Sequence, residues 1–463
     1  EQRLAQVLTA LDGMQRRLND SQQQIEQLRA ELQQVRTQLA AEKTDAQDAA
    51  AASQAAADLQ RSVQQLQDQG EVLQAEVKQH EQTKVESASK YPLRLSGMLL
   101  FSSFSNDGAV DNIDLPIVAL PRDQTVAHGS LSATLRQTIV ALDATGPVLW
   151  GAHSAASVRV DFFGGVPYAG YSTTAGTLRL RTAHLNLDWP NHSLLAALDA
   201  PLISPLEPTS FVGIGEPALA WSGNLWTWSP QIELMNRASV AGGKLGFDFA
   251  LIDPAAPGPV ASTGLRQPDP SERSRQPGYE ARSSYTLNLR DRPFTVGAGG
   301  YYSRQRYASG QRLNAWAGSA DWNLPFNRFV ELSGELYRGS GIGGLGGGVF
   351  KDYVFDPDTG LIQGLDAEGG WAQWKARITR SLEANVAIGQ DSGFAEELRY
   401  AGALPSSSAY ANLARNRTLL GNFIFRPKTY LLFSAEYRNI HSWPITGHVD
   451  TAQSFGLAAG YLF

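Results

Sequence analysis

Two hydrophobic periodicities divide the chain. Leu4, Val7, Leu11, Met14, Leu18, Ser21, Ile25, Leu28, Leu32, Val35, Leu39 and Glu42 fall on one unbroken 4-3 spacing, with ten of the twelve positions apolar. A stripe that narrow needs a partner helix, so the spacing predicts an α-helical coiled coil. An alanine-rich bridge at 40–57 follows, and Leu59, Val63, Leu66, Leu73 and Val77 then resume the spacing shifted by three residues. Alanine is the best helix former and nothing in the bridge makes a turn, so the helix is expected to continue over 1–88. Its predicted core includes Leu11, Leu18, Ile25, Leu28, Leu32 and Leu39. At about 1.5 Å per residue it forms a rod of roughly 120 Å.

From Tyr91-Pro92 onward the period changes to two. Alternation predicts sixteen strands, near 93–103, 131–142, 153–163, 177–189, 193–200, 230–240, 244–253, 279–290, 293–304, 312–323, 328–338, 371–380, 382–390, 414–425, 429–440 and 452–463. Every second connection is tight, as at 190–192, 241–243, 291–293, 324–327, 380–381 and 426–429, with one long exception expected around 143–152. The alternate connections are mostly long: 104–130, 164–176, 201–229, 254–278, 339–370, 391–413 and 441–451, with a shorter one at 305–311. Long loops on one rim and short turns on the other are the asymmetry of a transmembrane barrel with an even strand number.

The faces of these strands agree with hydrocarbon outside and water inside. In 328–338, Val330, Leu332, Gly334 and Leu336 oppose Glu331, Ser333 and Glu335; in 382–390, Leu382, Ala384, Val386 and Ile388 oppose Glu383 and Asn385. Aromatics near strand ends, among them Trp189, Trp316, Trp322, Phe326, Tyr430 and Tyr437, suit the two interfaces of a bilayer. The fold class expected is therefore an all-β barrel of sixteen antiparallel strands over 91–463, preceded by the coil.

Composition narrows the classes further. The 463 residues contain no cysteine, which removes disulfides, thiolate metal sites and cysteine nucleophiles. A formal charge of −6 argues against a nucleic-acid partner. No run of about 18 apolar residues is present to make a spanning helix. A start at Glu1 rather than Met is compatible with a processed mature form. Seven scattered histidines, no HExxH and no G-x-S-x-G leave neither a metalloprotease nor a serine-hydrolase motif, so no catalytic residue, metal or cofactor is assigned and no enzyme is expected. GIGGLGGG (341–348) lacks the GK[ST] of a phosphate loop and is expected to be a flexible surface loop. Asp107, Asp111 and Asp114 are expected to be solvated loop carboxylates rather than a Ca²⁺ site.

The barrel region, with its sixteen strands, short turns and terminal Tyr461-Leu462-Phe463, resembles trimeric bacterial porins; the coil-then-barrel order and the SGNLWT-x-x-PQI stretch (222–232) resemble the DcaP-like branch. That resemblance implies an outer-membrane, passive channel for small hydrophilic solutes and ions, assembled as a homotrimer with the coil in the periplasm. It implies that Tyr461 and Phe463 signal to the barrel-assembly machinery and that the third long loop, 201–229, folds into the lumen. Four prolines and three tryptophans stiffen that loop, and Glu207 and Glu216 place negative charge on it. Inner-face candidates for the pore are Arg94, Arg136, Arg159, Arg179, Arg181, Arg282, Lys375, Arg377 and Arg438, against Glu233, Glu331, Glu335 and other carboxylates. Opposed charges across a pore set a transverse field, here near balance, with Arg179 and Arg181 the foremost pair. The competing expectation is a tether: a barrel that anchors the chain in membrane lipid while the coil meets peptidoglycan or another periplasmic partner.

Overall fold

A computed structural model describes residues 92–463, apart from 123–127, 165–175, 257–265, 290–291, 357 and 402–408. The heptad segment 1–88, with its core positions from Leu11 to Leu39, lies outside the described residues.

Among the described residues, sixteen antiparallel strands make one closed sheet. In chain order they are β1 (Leu93–Asp107), β2 (two pieces, Gly129–Thr134 and Ile139–Leu149), β3 (Ala152–Asp161), β4 (Arg179–Asp188), β5 (His192–Asp199), β6 (Ser229–Val240), β7 (Gly243–Ile252) and β8 (Gly278–Leu289). They continue with β9 (Arg292–Arg306), β10 (Arg312–Leu324), β11 (Val330–Ser340), β12 (Asp366–Arg377), β13 (Leu382–Gly393), β14 (Leu413–Lys428), β15 (Leu431–Pro444) and β16 (Asp450–Leu462). Each strand pairs with its chain neighbours, and β16 returns to β1 in the register Met98↔Leu462 to Asp107↔Gln453. Among the described residues the barrel sheet therefore closes on itself, which is what a strand needs where water cannot satisfy its amides. The long connection expected around 143–152 does not exist: β2 continues to Leu149 and turns back at Trp150-Gly151 into β3.

Alternation decides which way each side chain points. Leu336, Phe247, Phe423, Phe455 and Tyr461 stand on the outside about half exposed, while the opposite parity is buried inside. On β10 the outward Trp316 and Trp322 are six residues apart, roughly 20 Å of strand, close to the height of a bilayer-facing apolar band.

The hydrophobic core lies inside the barrel, between the wall and chain that enters from the long-loop rim. Ile203 and Leu225 of the β5–β6 connection, Ile342 and Leu345 of the β11–β12 connection, and Tyr301, Leu313 and Tyr337 of the wall form the largest cluster. The glycine-rich 341–348 is therefore not a flexible surface loop. It makes a short 3₁₀ turn (Gly343–Leu345), and Ile342 just before it and Leu345 at its end are wholly buried. A Cβ at 343 would fall 2.7–2.9 Å from the backbone of 350–352, so packing requires glycine there, and one at 344 would sit tightly, 3.1–3.3 Å from the backbone of 255–256.

Candidate functional site

A wide barrel needs something inside it to be selective, because sixteen strands enclose more space than their own side chains fill. Here the β5–β6 connection fills much of it. The segment leaves Asp199, crosses to the far wall and follows it, held at each step by an inward polar side chain. Leu202 donates its amide to Glu280 Oε2 (2.9 Å), Leu206 donates to Glu335 Oε1 (2.7 Å), and Thr209 donates to Gln373 Oε1 (2.6 Å). The Ser204 hydroxyl donates to Glu335 and the Ser210 hydroxyl to Glu436, while Asn422 Nδ2 donates to the Thr209 carbonyl. These bonds satisfy backbone and hydroxyl donors that the barrel buries away from water, which suits a segment that must stay put.

The segment then reaches the wall formed by β2–β4. Gly215 donates its amide to Gln137 Oε1 (2.8 Å), and the carbonyls of Ile214 and Gly215 accept from Arg181 and Arg179. Gln137 is available because β2 is interrupted at 135–138, where the Thr138 hydroxyl accepts from Leu100 N (3.1 Å) in place of a ladder partner. Such irregularities re-aim side chains. On its return the chain presses the turn at Ser222-Gly223 against β12 and β13. A Cβ on Gly389 would lie 2.1 Å from the Ser222 carbonyl oxygen, so only glycine permits this approach.

At the turning point Arg179 and Arg181 share one carboxylate. Arg179 Nη2 and Arg181 Nη1 lie 2.7 and 2.8 Å from Asp161 Oδ2, and Asp161 is fully buried. A register shift between Arg159 and Val160, opposite Arg181, brings both arginines to the same partner. Both guanidinium groups also lie over the Trp228 ring, at 5.0 and 4.6 Å from its centre. Arg136, behind them, pairs with Asp114 and stacks on Phe163 at 4.7 Å. Glu207 stands exposed on the inserted segment within the field of Arg181. Burial pushes the Glu216 carboxyl up to about 7, the Asp111 carboxylate adding to the effect and Arg179 opposing it.

The remaining candidates serve the wall. Arg282 forms a two-point pair with Asp321, and Glu331 takes both Arg377 (2.8 Å) and Lys375 (3.8 Å). Arg438 binds Glu436, Arg159 faces Asp143 at 3.5 Å, and Arg94 is exposed near the start of β1. Glu233 is buried on β6 in the field of Asp199 and His184. Glu335 bonds the inserted chain rather than facing an open pore. The three loop aspartates are separated: Asp114 on Arg136, Asp107 on Arg122, and Asp111 on the amides of 117 and 118 and on Tyr410. Sequence reasoning missed Gln137, Gln373 and Asn422, whose amides hold the segment. It also missed a chain from Ser157 Oγ through His184 to Asp199, at 3.2 and 2.7 Å, on the inner face of β3–β5. No local pattern announces these residues, because each partner is distant in sequence.

One asymmetry organises the lumen. The inward residues Glu280, Gln305, Asp321, Gln373, Asn416 and Glu436 of β8–β15 are at most 3% exposed, covered by inserted chain, whereas the Arg377 side chain near the end of β12 is 42% exposed. Across from them, the side chains of Asp199, Arg159 and Asp143 are 36, 41 and 37% exposed. Glu207 on the inserted segment is exposed, while the Arg179 and Arg181 side chains that hold this segment are 23 and 14% exposed.

Among solved structures, the outer membrane channel DcaP of Acinetobacter baumannii is similar at a TM-score of 0.62 and 16% identity, over 81% of this chain and 99% of that one. The chain has the DcaP fold. Pseudomonas putida OprB (TM-score 0.47, 11% identity, 80% of this chain and 94% of that one) and Salmonella typhi OmpF (0.45, 12%, 81% and 98%) are more distant. No protein-family model and no curated protein matches the sequence.

Proposed function

We propose that the protein is an outer-membrane porin, a passive channel for small hydrophilic solutes and ions whose lumen is narrowed by the β5–β6 connection. The observation that carries this reading is a segment inside the barrel fixed by Glu280, Glu335, Gln373 and Glu436 on one wall and by Gln137, Arg179 and Arg181 on the other, beside which Asp143, Arg159 and Asp199 stay water-exposed. A fixed obstruction beside an open charged strip filters by size and charge without moving parts. The half-exposed apolar exterior supports a lipid environment, and DcaP, whose fold it shares, is an outer membrane channel.

In this reading three copies assemble through residues 1–88 as a coiled coil in the periplasm, where the coil also meets peptidoglycan or a periplasmic partner. Tyr461 and Phe463 serve as the signal read by the barrel-assembly machinery. The chemistry offered is conduction, with no reaction and no cofactor. Single-channel recording tests the channel, and removal of 1–88 tests the coil: conductance should persist per barrel while assemblies fall apart at lower temperature. Stable trimers without 1–88 would sink the coil's assembly role.

A further inference from the structure

The strand pair β9–β10 carries a feature that conduction does not use. Tyr302 pairs with Trp316 on the outer face at the upper edge of the apolar band. The next outward pairs toward the long-loop rim are Arg304↔Asn314 and Arg306↔Arg312. With Ser274 and Gln276 after the short helix α1 (Pro270–Ser274) begins, they line a notch of about 330 Å³ on the outer wall. All three arginines are exposed, and no carboxylate of the described residues lies in ion-pair distance of any of them. The nearby acids are engaged elsewhere: Glu272 takes Arg266 and the Asp269 amide, and Asp269 caps α1. Residues 257–265, from the adjoining loop, contain no Asp or Glu. Arg304 is held outward by its Nε bond to the Tyr302 hydroxyl (3.2 Å), which in turn donates to Asn314 Oδ1 (3.2 Å).

Three converging, unpaired guanidinium groups are unexpected in a chain of net charge −6, since each raises the energy of the next. They become favourable when an anion joins them, and planar guanidinium groups match phosphate oxygens two at a time. Their height decides the source of that anion. They lie one and two outward residues above the Tyr302–Trp316 pair, where lipid headgroups sit over the acyl chains. We propose that this notch binds the phosphorylated headgroup of an outer-leaflet lipid of the lipid A class, with its acyl chains against the apolar wall below. The inference rests on the outer-membrane reading above.

The test uses the full chain extracted from outer membranes in mild detergent. Native mass spectrometry would compare retention of bis-phosphorylated lipid A, dephosphorylated lipid A and inorganic phosphate. The comparison includes wild type, Arg304→Gln/Arg306→Gln/Arg312→Gln, each single Gln variant and the triple Lys variant. The expected result is retention of the phosphorylated lipid by wild type and roughly a hundredfold weaker retention by the triple Gln variant, about fivefold for each arginine. The Lys variant keeps the charge and loses the two-point fork, so its retention should fall between those of wild type and the triple Gln variant. Barrel integrity is read from heat-dependent gel mobility, and the single variants carry the test if the triple variant misfolds. Equal retention by wild type and variants, or equal retention of dephosphorylated lipid, overturns the proposal. Inorganic phosphate binding as tightly as the lipid makes this a free-anion site and overturns the lipid assignment. A protein absent from the outer-membrane fraction contradicts the channel reading, and this inference with it; a protein present there that ignores the arginines contradicts this inference alone.

Discussion

Gly97 and Phe463 exchange both backbone hydrogen bonds, Gly97 N to Phe463 O at 2.9 Å and Phe463 N to Gly97 O at 3.1 Å. The Phe463 ring lies over the space a side chain at 97 would take: a Cβ there falls 2.7 Å from Phe463 Cζ and 2.5 Å from the Ile139 carbonyl oxygen. The last residue of the chain thus locks the seam where β1 meets β16. Gly97→Leu forces this seam apart, and overpacking of that kind costs about 1–3 kcal/mol. The denaturant midpoint of the folded, heat-modifiable band should fall accordingly. Phe463→Ser should lower the yield of inserted barrel; an unchanged yield counts against the assembly role of Phe463.

Glu335 accepts from Leu206, Ser204 and Trp371, and its removal strands three donors. Each stranded buried donor costs about 1–3 kcal/mol, so Glu335→Ala should loosen the inserted segment while the wall, with its own ladder, persists. Mean single-channel conductance and its noise should both rise. Wild-type current traces from this variant would show that Glu335 does not anchor the constriction.

Arg179 and Arg181 hold the inserted segment by the carbonyls of Gly215 and Ile214, with Asp161 between them. Either arginine alone still neutralises Asp161, so Arg179→Gln and Arg181→Gln each remove one charge without leaving that buried carboxylate unpaired. A unit charge a few ångström from a passing ion in a water-like medium is worth on the order of 1 kcal/mol. The cation-to-anion permeability ratio should therefore rise roughly fivefold for each variant, read as a reversal potential in a salt gradient. No shift in either would remove these arginines from the ion path.

Glu216 supplies a pH dependence. Its carboxyl, ordinarily near 4.5, is raised to about 7 by burial, so the folded protein binds a proton that the unfolded chain has released between these values. The resulting stability is full below pH about 4.5 and is lost as pH rises through about 7. The same deprotonation adds negative charge to the inserted segment, so cation preference should increase across neutrality. Glu216→Gln should flatten both trends; a wild-type-like pH profile in this variant would assign them to another group.

The strands were legible in the sequence because hydrocarbon and water impose opposite demands on alternate residues, as Val330 and Leu332 against Glu331 and Ser333 show. The turn at Trp150-Gly151 was not, because Gly146-Pro147 mimics a break, whereas the ladder only shifts register between Thr145 and Val148. The glycine-rich 341–348 read as loose because composition does not reveal that another loop packs over it. Inner-face charge was visible at Glu335 and Arg438, but the partners were not: Ser204 and Glu335 are 131 residues apart. Period-two patterns say which way a side chain points and nothing about what enters the lumen to meet it.

The central claim, a conducting barrel narrowed by the β5–β6 connection, is tested most directly by recording the purified protein in planar bilayers. Discrete open steps are predicted, in groups of three if three barrels insert together, and larger steps when Glu335→Ala releases the segment. A barrel that inserts but stays silent, in wild type and in Glu335→Ala alike, would contradict it.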